Sequence, residues 1–197
     1  MKYLKEELRE DIQKAAVQEF SLKGYQNASM RSIAAHSNIS VGNIYRYFDS
    51  KESLFIAIME PVWQETLQLL YVDRLIPQPQ LVDNLSVEEI VSRIIAICQQ
   101  HPELFRILIS NSEGSPYAHV KEKLIGIVTR RFEEELIPHL YRLNRTPDPL
   151  LPFVLASTII ESFFIIIVRC TEDIPRMEQL MRQMLAVILR DLDKRIG

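Results

Sequence analysis

Apolar residues at Leu8, Ile12, Ala15, Ala16 and Phe20 recur every three or four positions, which places them on one face of a helix over about residues 4–23, stopped by Gly24. Ser29 is positioned to cap a short helix over Met30–His36, with Met30 or Ile33 and Ala34 turned inward. Ser37-Asn38-Ile39 is too short for a free loop but suits the corner between two crossing helices, with Asn38 as its left-handed residue. Ser40 caps a third helix, Val41–Tyr47, and Asp49 or Ser50 caps a fourth from Lys51 to about Tyr71.

Pro77 and Pro79 interrupt the period, so residues 73–85 read as a connection. Ser86-Val87-Glu88-Glu89 has the form of a capping box and leads into Ile90, Val91, Ile94, Ile95 and Cys98. Pro102 opens a short helix to about Ser112. Pro116 is placed to start the next one, to about Asn144, with an apolar line at Val120, Leu124, Ile127, Val128 and Leu140.

From Leu150 to Val168 nearly every residue is apolar, Ser157, Thr158, Glu161 and Ser162 excepted. A helix apolar all round has no solvent face, so it crosses a membrane or packs on several sides. Pro152, Glu161 and the hydroxyls argue for packing, because a carboxylate at mid-bilayer is costly. The last helix, about Ile174–Ile196, carries Met177, Leu180, Met181, Met184, Leu185, Ile188 and Leu192 on one stripe. Two adjacent helices with apolar surface to spare predict a four-helix interface across a two-fold axis, hence a homodimer. Its candidate residues are Phe153, Ser157, Ile160, Met177, Met181, Met184 and Ile188.

Composition narrows the class. Gly is scarce at 5 of 197 residues and charged residues make up 25%, the usage of packed helices with little or no strand. Cys98 and Cys170 sit in apolar runs without a CxxC or His-spaced set and read as buried thiols. His101, His119 and His139 share no metal-ligand spacing, so no metal and no cofactor are expected. The mixed-charge start, MKYLKEELRE, lacks the apolar core of a signal peptide, which predicts a cytoplasmic protein without a membrane partner. No HExxH, GxGxxG, P-loop or GxSxG occurs, so an enzyme is not expected.

The net charge of −3 is unevenly spread. Residues 1–51 carry 8 Lys/Arg against 6 Asp/Glu, and no acid occurs from Phe20 to Phe48. Such a stretch meets phosphates without repulsion. In the third helix Ile44 and Phe48 are one turn apart and face inward, which turns Gly42, Asn43, Arg46 and Tyr47 outward. Gly42 permits close backbone approach, Tyr45 and Tyr47 can donate to phosphate or touch a thymine methyl, and Arg46 can reach guanine or phosphate. Ser29, Ser40 and Lys51 sit at helix starts, where amide dipoles favour phosphate oxygens.

The run from Ala28 through Met30-Arg31-Ser32-Ile33-Ala34 and Asn38-Ile39-Ser40-Val41-Gly42-Asn43-Ile44-Tyr45-Arg46-Tyr47-Phe48 to Lys51 and Leu54 resembles the TetR family signature. The likeness covers about residues 8–56 and includes Phe20-x-x-x-Gly24-Tyr25. It departs at Asn38, where glycine is common, and at Val41, where a polar or basic residue is frequent. The resemblance implies an all-α fold of about nine helices. Residues 1–50 would form a three-helix, helix-turn-helix DNA-binding head, and 51–197 a larger ligand-sensing and dimerisation bundle. It also implies a recognition helix contacting DNA through Val41, Gly42, Asn43, Tyr45, Arg46 and Tyr47, with Ser29, Met30, Arg31, Ser40 and Lys51 in support. The expected function is a transcription regulator, most simply a repressor, that binds a palindromic operator as a homodimer and is released by a small apolar or amphipathic effector.

Other readings stay open. Tyr45 also reads as core and Arg31 as a solvated charge. Phe105, Phe132, Glu161 and Phe164 are candidate ligand-binding residues, yet the phenylalanines read equally as plain core. Glu161 reads first as an ion-pair partner of Arg169 or of a residue across the dimer. The rival function is a dimeric small-molecule-binding helical protein whose head is degenerate and binds no DNA.

Overall fold

The computed structural model describes residues 2–71 and 87–196, with side chains described for 6–70 and 91–196. The connection over 73–85 and the side chains of the Ser86–Glu89 capping box lie outside these. Among the described residues every regular element is helical: α1 (Lys2–Asn27), α2 (Met30–His36), α3 (Val41–Ile44), α4 (Lys51–Tyr71), α5 (Val87–Gln100), α6 (Pro102–Ser110), α7 (Val120–Arg131), α8 (Ile137–Arg142), α9 (Leu151–Arg169), α10 (Ile174–Leu189) and α11 (Leu192–Arg195). The all-α expectation holds. A π turn, Phe132–Leu136, joins α7 to α8.

The chain divides into two compact units, and the division falls inside α4. One unit comprises the residues up to Glu65 with His101–His119. In it Ile12, Ala16, Phe20, Ile33, Ile44, Leu54 and Phe55 are fully buried. The Phe55 ring meets Phe20 edge-on (4.9 Å between centroids) and Tyr25 (4.8 Å). Gly24 ends the regular part of α1 with φ 71° and ψ 165°, a conformation open essentially to glycine alone, so the helix kinks where the sequence placed its stop. Asn111, at the end of α6, holds this kink from outside. Its carbonyl accepts from Tyr25 N–H (2.9 Å), and its side-chain amide donates to the carbonyl of Ser21 (2.9 Å).

Within the same unit the segment after α6 departs from expectation. Pro116 starts no helix. Residues 113–119 form turns in which Ser115 Oγ accepts from Tyr117 N–H (3.0 Å), and α7 begins at Val120. Burial of the Tyr117 ring and its hydrogen bond to Glu60 take the place of a helical turn.

In the other unit α9 packs on α7, and α10 on α5 and α9. Ile159, Ile160, Phe163, Met177, Met181 and Leu185 are buried there. A second cluster gathers Leu136, Leu140 and Leu192, with Phe132, Leu155 and Leu189 against it. The π turn has a local cause. Pro138 has no N–H and its ring crowds the carbonyl four residues back, and the chain responds with a wider turn closed by Ile137 N–H on the Phe132 carbonyl. Arg131, at its start, donates to the Leu70 carbonyl (2.8 Å) and pairs with Glu135 (3.2 Å).

α9 is long and apolar enough to cross a membrane by length and composition alone. Its one carboxylate, Glu161, pairs with Lys121 of α7 at 2.9 Å, not with Arg169 as the spacing suggested. The correction follows from packing, since α7 lies alongside α9 and brings an ammonium to that face.

Candidate nucleic-acid interface

The corner after α2 is built by Asn38, whose φ of 54° is left-handed. Ile39 N–H returns to the Ala34 carbonyl (3.1 Å) and Asn38 N–H to Ala35 (3.2 Å), the double bond pattern that closes a helix over a left-handed residue. Asn fills the place of glycine because its short polar side chain tolerates this region. The chain is thereby turned into Ser40, whose Oγ accepts from Asn43 N–H (3.2 Å) and starts α3.

α3 is shorter than the expected Val41–Tyr47. Regular helix ends at Ile44, and Arg46 and Tyr47 N–H groups close tighter turns onto the carbonyls of Asn43 (3.2 Å) and Ile44 (2.9 Å). Phe48, 4% exposed, pins the end of this turn in the core beside the fully buried Ile44. Ser50 and Ser53 then cap α4 reciprocally, each N–H on the other's Oγ at 3.0 Å, which identifies Ser50 rather than Asp49 as the cap.

The anchoring of Ile44 and Phe48 leaves Gly42, Asn43, Tyr45 and Arg46 exposed, with Val41 and Tyr47 half-buried. Tyr45 is 49% exposed and occupies no core position. Arg31, Ser29 and Ser40 are exposed as well, whereas Met30 is buried and faces the protein. Gly42 has open space around the position a Cβ would take, and its φ is ordinary.

Glu19 organises the approach to this face, and sequence reading passed over it. Its side chain is fully buried. It accepts from Lys23 Nζ (2.9 Å), Ser32 Oγ (2.8 Å) and Ser29 N–H (3.3 Å), and so fastens α1 to the start of α2. Burial raises its pKa, but the hydrogen bonds from Lys23, Ser32 and Ser29 outweigh burial and hold it below the ordinary carboxylate value. One signal could have found it, since Glu19 lies three and seven residues beyond Ala16 and Ile12, on the apolar face of its own helix.

Lys51 is placed differently from a free phosphate ligand. Its ammonium donates to the carbonyls of Tyr25 (2.7 Å), Gln26 (3.2 Å) and Ala28 (3.1 Å) and lies 4.4 Å from the Tyr25 ring centroid. Desolvation lowers its pKa.

The remaining candidates are distributed over both units. Phe105 is buried in the first. Phe132 and Phe164 are half-buried in the second, and Glu161 is exposed with its Lys121 partner. Among the dimer candidates Ile160, Met177 and Met181 are buried within the chain itself, Ser157, Met184 and Ile188 are half-buried, and Phe153 is 50% exposed. Besides Phe153, the large apolar side chains of α9 and α10 that face outward are Val154, Ile165 and Val168 on α9 and Val187 on α10.

Comparison with known proteins agrees with this geometry. Residues 12–58 match the family of bacterial regulatory proteins designated tetR. The HTH-type transcriptional repressor NicS of Pseudomonas putida is 32% identical over 107 residues, which are 53% of this chain and 48% of NicS, so the chain spans about half the length of that relative in the match. The fold is similar to a transcriptional regulator from Aquifex aeolicus VF5 (TM-score 0.63, 23% identity, 92% of this chain and 99% of that one). It is equally similar to a TetR-like regulator from Rhodococcus sp. RHA1 (TM-score 0.63, 16% identity, 90% and 93%). Over residues 12–58 the chain is thus similar to the bacterial regulatory proteins of the tetR family, and over most of its length its fold is similar to those of the two solved regulators.

Proposed function

We propose that the protein is a ligand-responsive transcription regulator, acting as a repressor, that binds a palindromic operator as a homodimer through α3. Gly42 carries the reading. A glycine at an exposed helical position with ordinary φ and empty surroundings weakens the helix by up to about 1 kcal/mol relative to alanine. Among the described residues nothing lies within 4 Å of the place a Cβ would take to repay that cost, whereas a duplex backbone or base edge lying against α3 would. Arg46, Asn43 and Tyr45 beside it supply the guanidinium, amide and phenol that read or grip DNA.

In this proposal residues 1–50 contact DNA, and 51–197 sense and dimerise. The outward apolar line of α9, Phe153, Val154, Ile165 and Val168, supports self-association. Two heads would then present their recognition helices about 34–36 Å apart, one turn of DNA. An apolar or amphipathic effector, for which Phe132 and Phe164 are the candidate contacts, would favour a dimer in which that spacing no longer fits.

Fluorescence anisotropy against the DNA upstream of its own gene, titrated at several salt concentrations, tests the reading. The expected result is tight, salt-dependent binding that is lost in the Arg46→Ala, Tyr47→Ala double variant. Absence of binding by the parent protein at low salt, on that DNA and on random duplex alike, overturns it.

A further inference from the structure

Two lysines lie at the corner where α1, α2 and α4 meet, and the structure uses them differently. An ammonium has three N–H donors. Lys51 places its contacts on three backbone carbonyls, those of Tyr25, Gln26 and Ala28, which the end of α1 leaves without helical partners. Its position over the Tyr25 ring adds a cation–π contact. Burial shifts its pKa downward, as for an ammonium withdrawn from water. To reach a phosphate it would have to abandon the carbonyls it closes.

Lys23 is arranged the other way round. Its side chain is 48% exposed, and its Nζ contacts Glu19 Oε1 (2.9 Å) and Ser32 Oγ (3.4 Å), two partners among the described residues for three donors. The carboxylate it is held by is sealed from water and also satisfied by Ser29 N–H and Ser32 O–H, so the accessible side of the pair is the cation. Lys23 also falls within the acid-free stretch Phe20–Phe48 together with Arg31 and Arg46.

We infer that Lys23 is a phosphate-contacting residue of the DNA-binding head, and that Lys51, to which the family resemblance gives that part, is a positioning residue that ties the end of α1 to the start of α4. The inference rests on the DNA-binding function proposed above. A pre-oriented ammonium reaches a phosphate with little loss of side-chain entropy, because Glu19 and Ser32 already restrict its rotamers.

The test measures the salt dependence of anisotropy on a short mixed-sequence duplex, with thermal unfolding alongside. Each phosphate neutralised contributes about 0.9 to the slope of log K against log salt concentration. Lys23→Gln is expected to reduce the slope by about 0.9 for each head wherever the protein is folded, with a lowered melting midpoint because the buried Glu19 loses its cation, and Lys23→Arg to restore both. Lys51→Gln is expected to lower the midpoint while keeping the parent slope wherever the protein is folded. A parental slope in Lys23→Gln overturns the inference, and that arm decides alone if Lys51→Gln does not fold. So does a Lys51→Gln protein of parental midpoint that has lost the increment of slope. If the parent itself shows no salt-dependent binding, the DNA-binding proposal fails first and takes this one with it.

Discussion

The phenol of Tyr117 donates a hydrogen bond to Glu60 Oε2 at 2.5 Å, while Gln64 donates to the other carboxylate oxygen at 2.6 Å. Tyr117 also closes an aromatic series in the first unit, 6.0 Å from Phe55 and 6.3 Å from Trp63 between centroids. The turn 113–119 is thus fixed to α4 by one charge-assisted bond and two ring contacts.

That bond sets a pH dependence. Burial, then the hydrogen bond and charge of Glu60, raise the Tyr117 pKa, while the hydrogen bonds from Tyr117 and Gln64 lower that of Glu60 against a smaller opposing effect of burial. A group whose folded pKa is raised contributes stability that is complete below its unfolded pKa and is lost as pH rises toward the folded one. Tyr117 therefore stabilises fully below about pH 10, the ordinary phenol value, and its contribution declines above that. For Glu60 the sign is opposite, and its contribution is lost as pH falls through the acid range. Tyr117→Phe is expected to cost about 1.5–3 kcal/mol at neutral pH, the range for a hydrogen bond to a charged group, and to flatten the alkaline limb of a stability curve obtained from urea unfolding. An unchanged alkaline limb would show that the bond is not maintained in solution.

Gly42→Ala separates folding from binding. The new methyl meets open space, so stability is expected to stay level or rise by up to about 1 kcal/mol. DNA affinity is expected to fall at least about tenfold, equivalent to roughly 1.4 kcal/mol, because in the proposed complex the Cβ would stand between α3 and the duplex. Parental affinity in a stabilised variant would mean that close approach of a duplex does not account for glycine at this position.

Ile165→Glu addresses self-association. Ile165 is 60% exposed, so a carboxylate there disturbs no packing within the chain, yet it would place a charge in the proposed subunit contact. Sedimentation is expected to give a dimer for the parent and a monomer for the variant at equal concentration. A monomeric parent at micromolar concentration contradicts the dimer outright. Ile160→Glu serves as contrast, since Ile160 is 6% exposed and its replacement should unfold the protein whatever the subunit count.

Much of the first unit was legible because its signals are local. Ser29, Ser40 and Asn38 each act on residues within five positions, and their caps and corner appear in the structure as expected. The buried role of Glu19 depends on partners 10 and 13 residues away, and that of Lys51 on carbonyls 23–26 residues away, which periodicity does not register. The second unit was read correctly as helical. Which apolar residues turn outward was not legible, because a helix like α9 is apolar on every face and only its neighbours choose among them. Those neighbours bury Ile160, Met177 and Met181 within the chain and leave Val154, Ile165 and Val168 outside.

The π turn carries a consequence for how this protein tolerates change in length. Eleven residues make about three helical turns, so the position in phase with Leu124 would be Glu135 in an unbroken α-helix. The wider turn admits one additional residue, and Leu136 takes that phase instead, followed by Leu140, to meet Leu192 in the second cluster. The turn works as a phase shifter between two ends of one helix. Deleting any one of Glu133, Glu134 or Glu135 would restore α spacing at the cost of crowding against Pro138, whereas a second inserted residue would rotate Leu136 and Leu140 by about 100° away from Leu192, so the seat of the chain's last turn depends on a count of one.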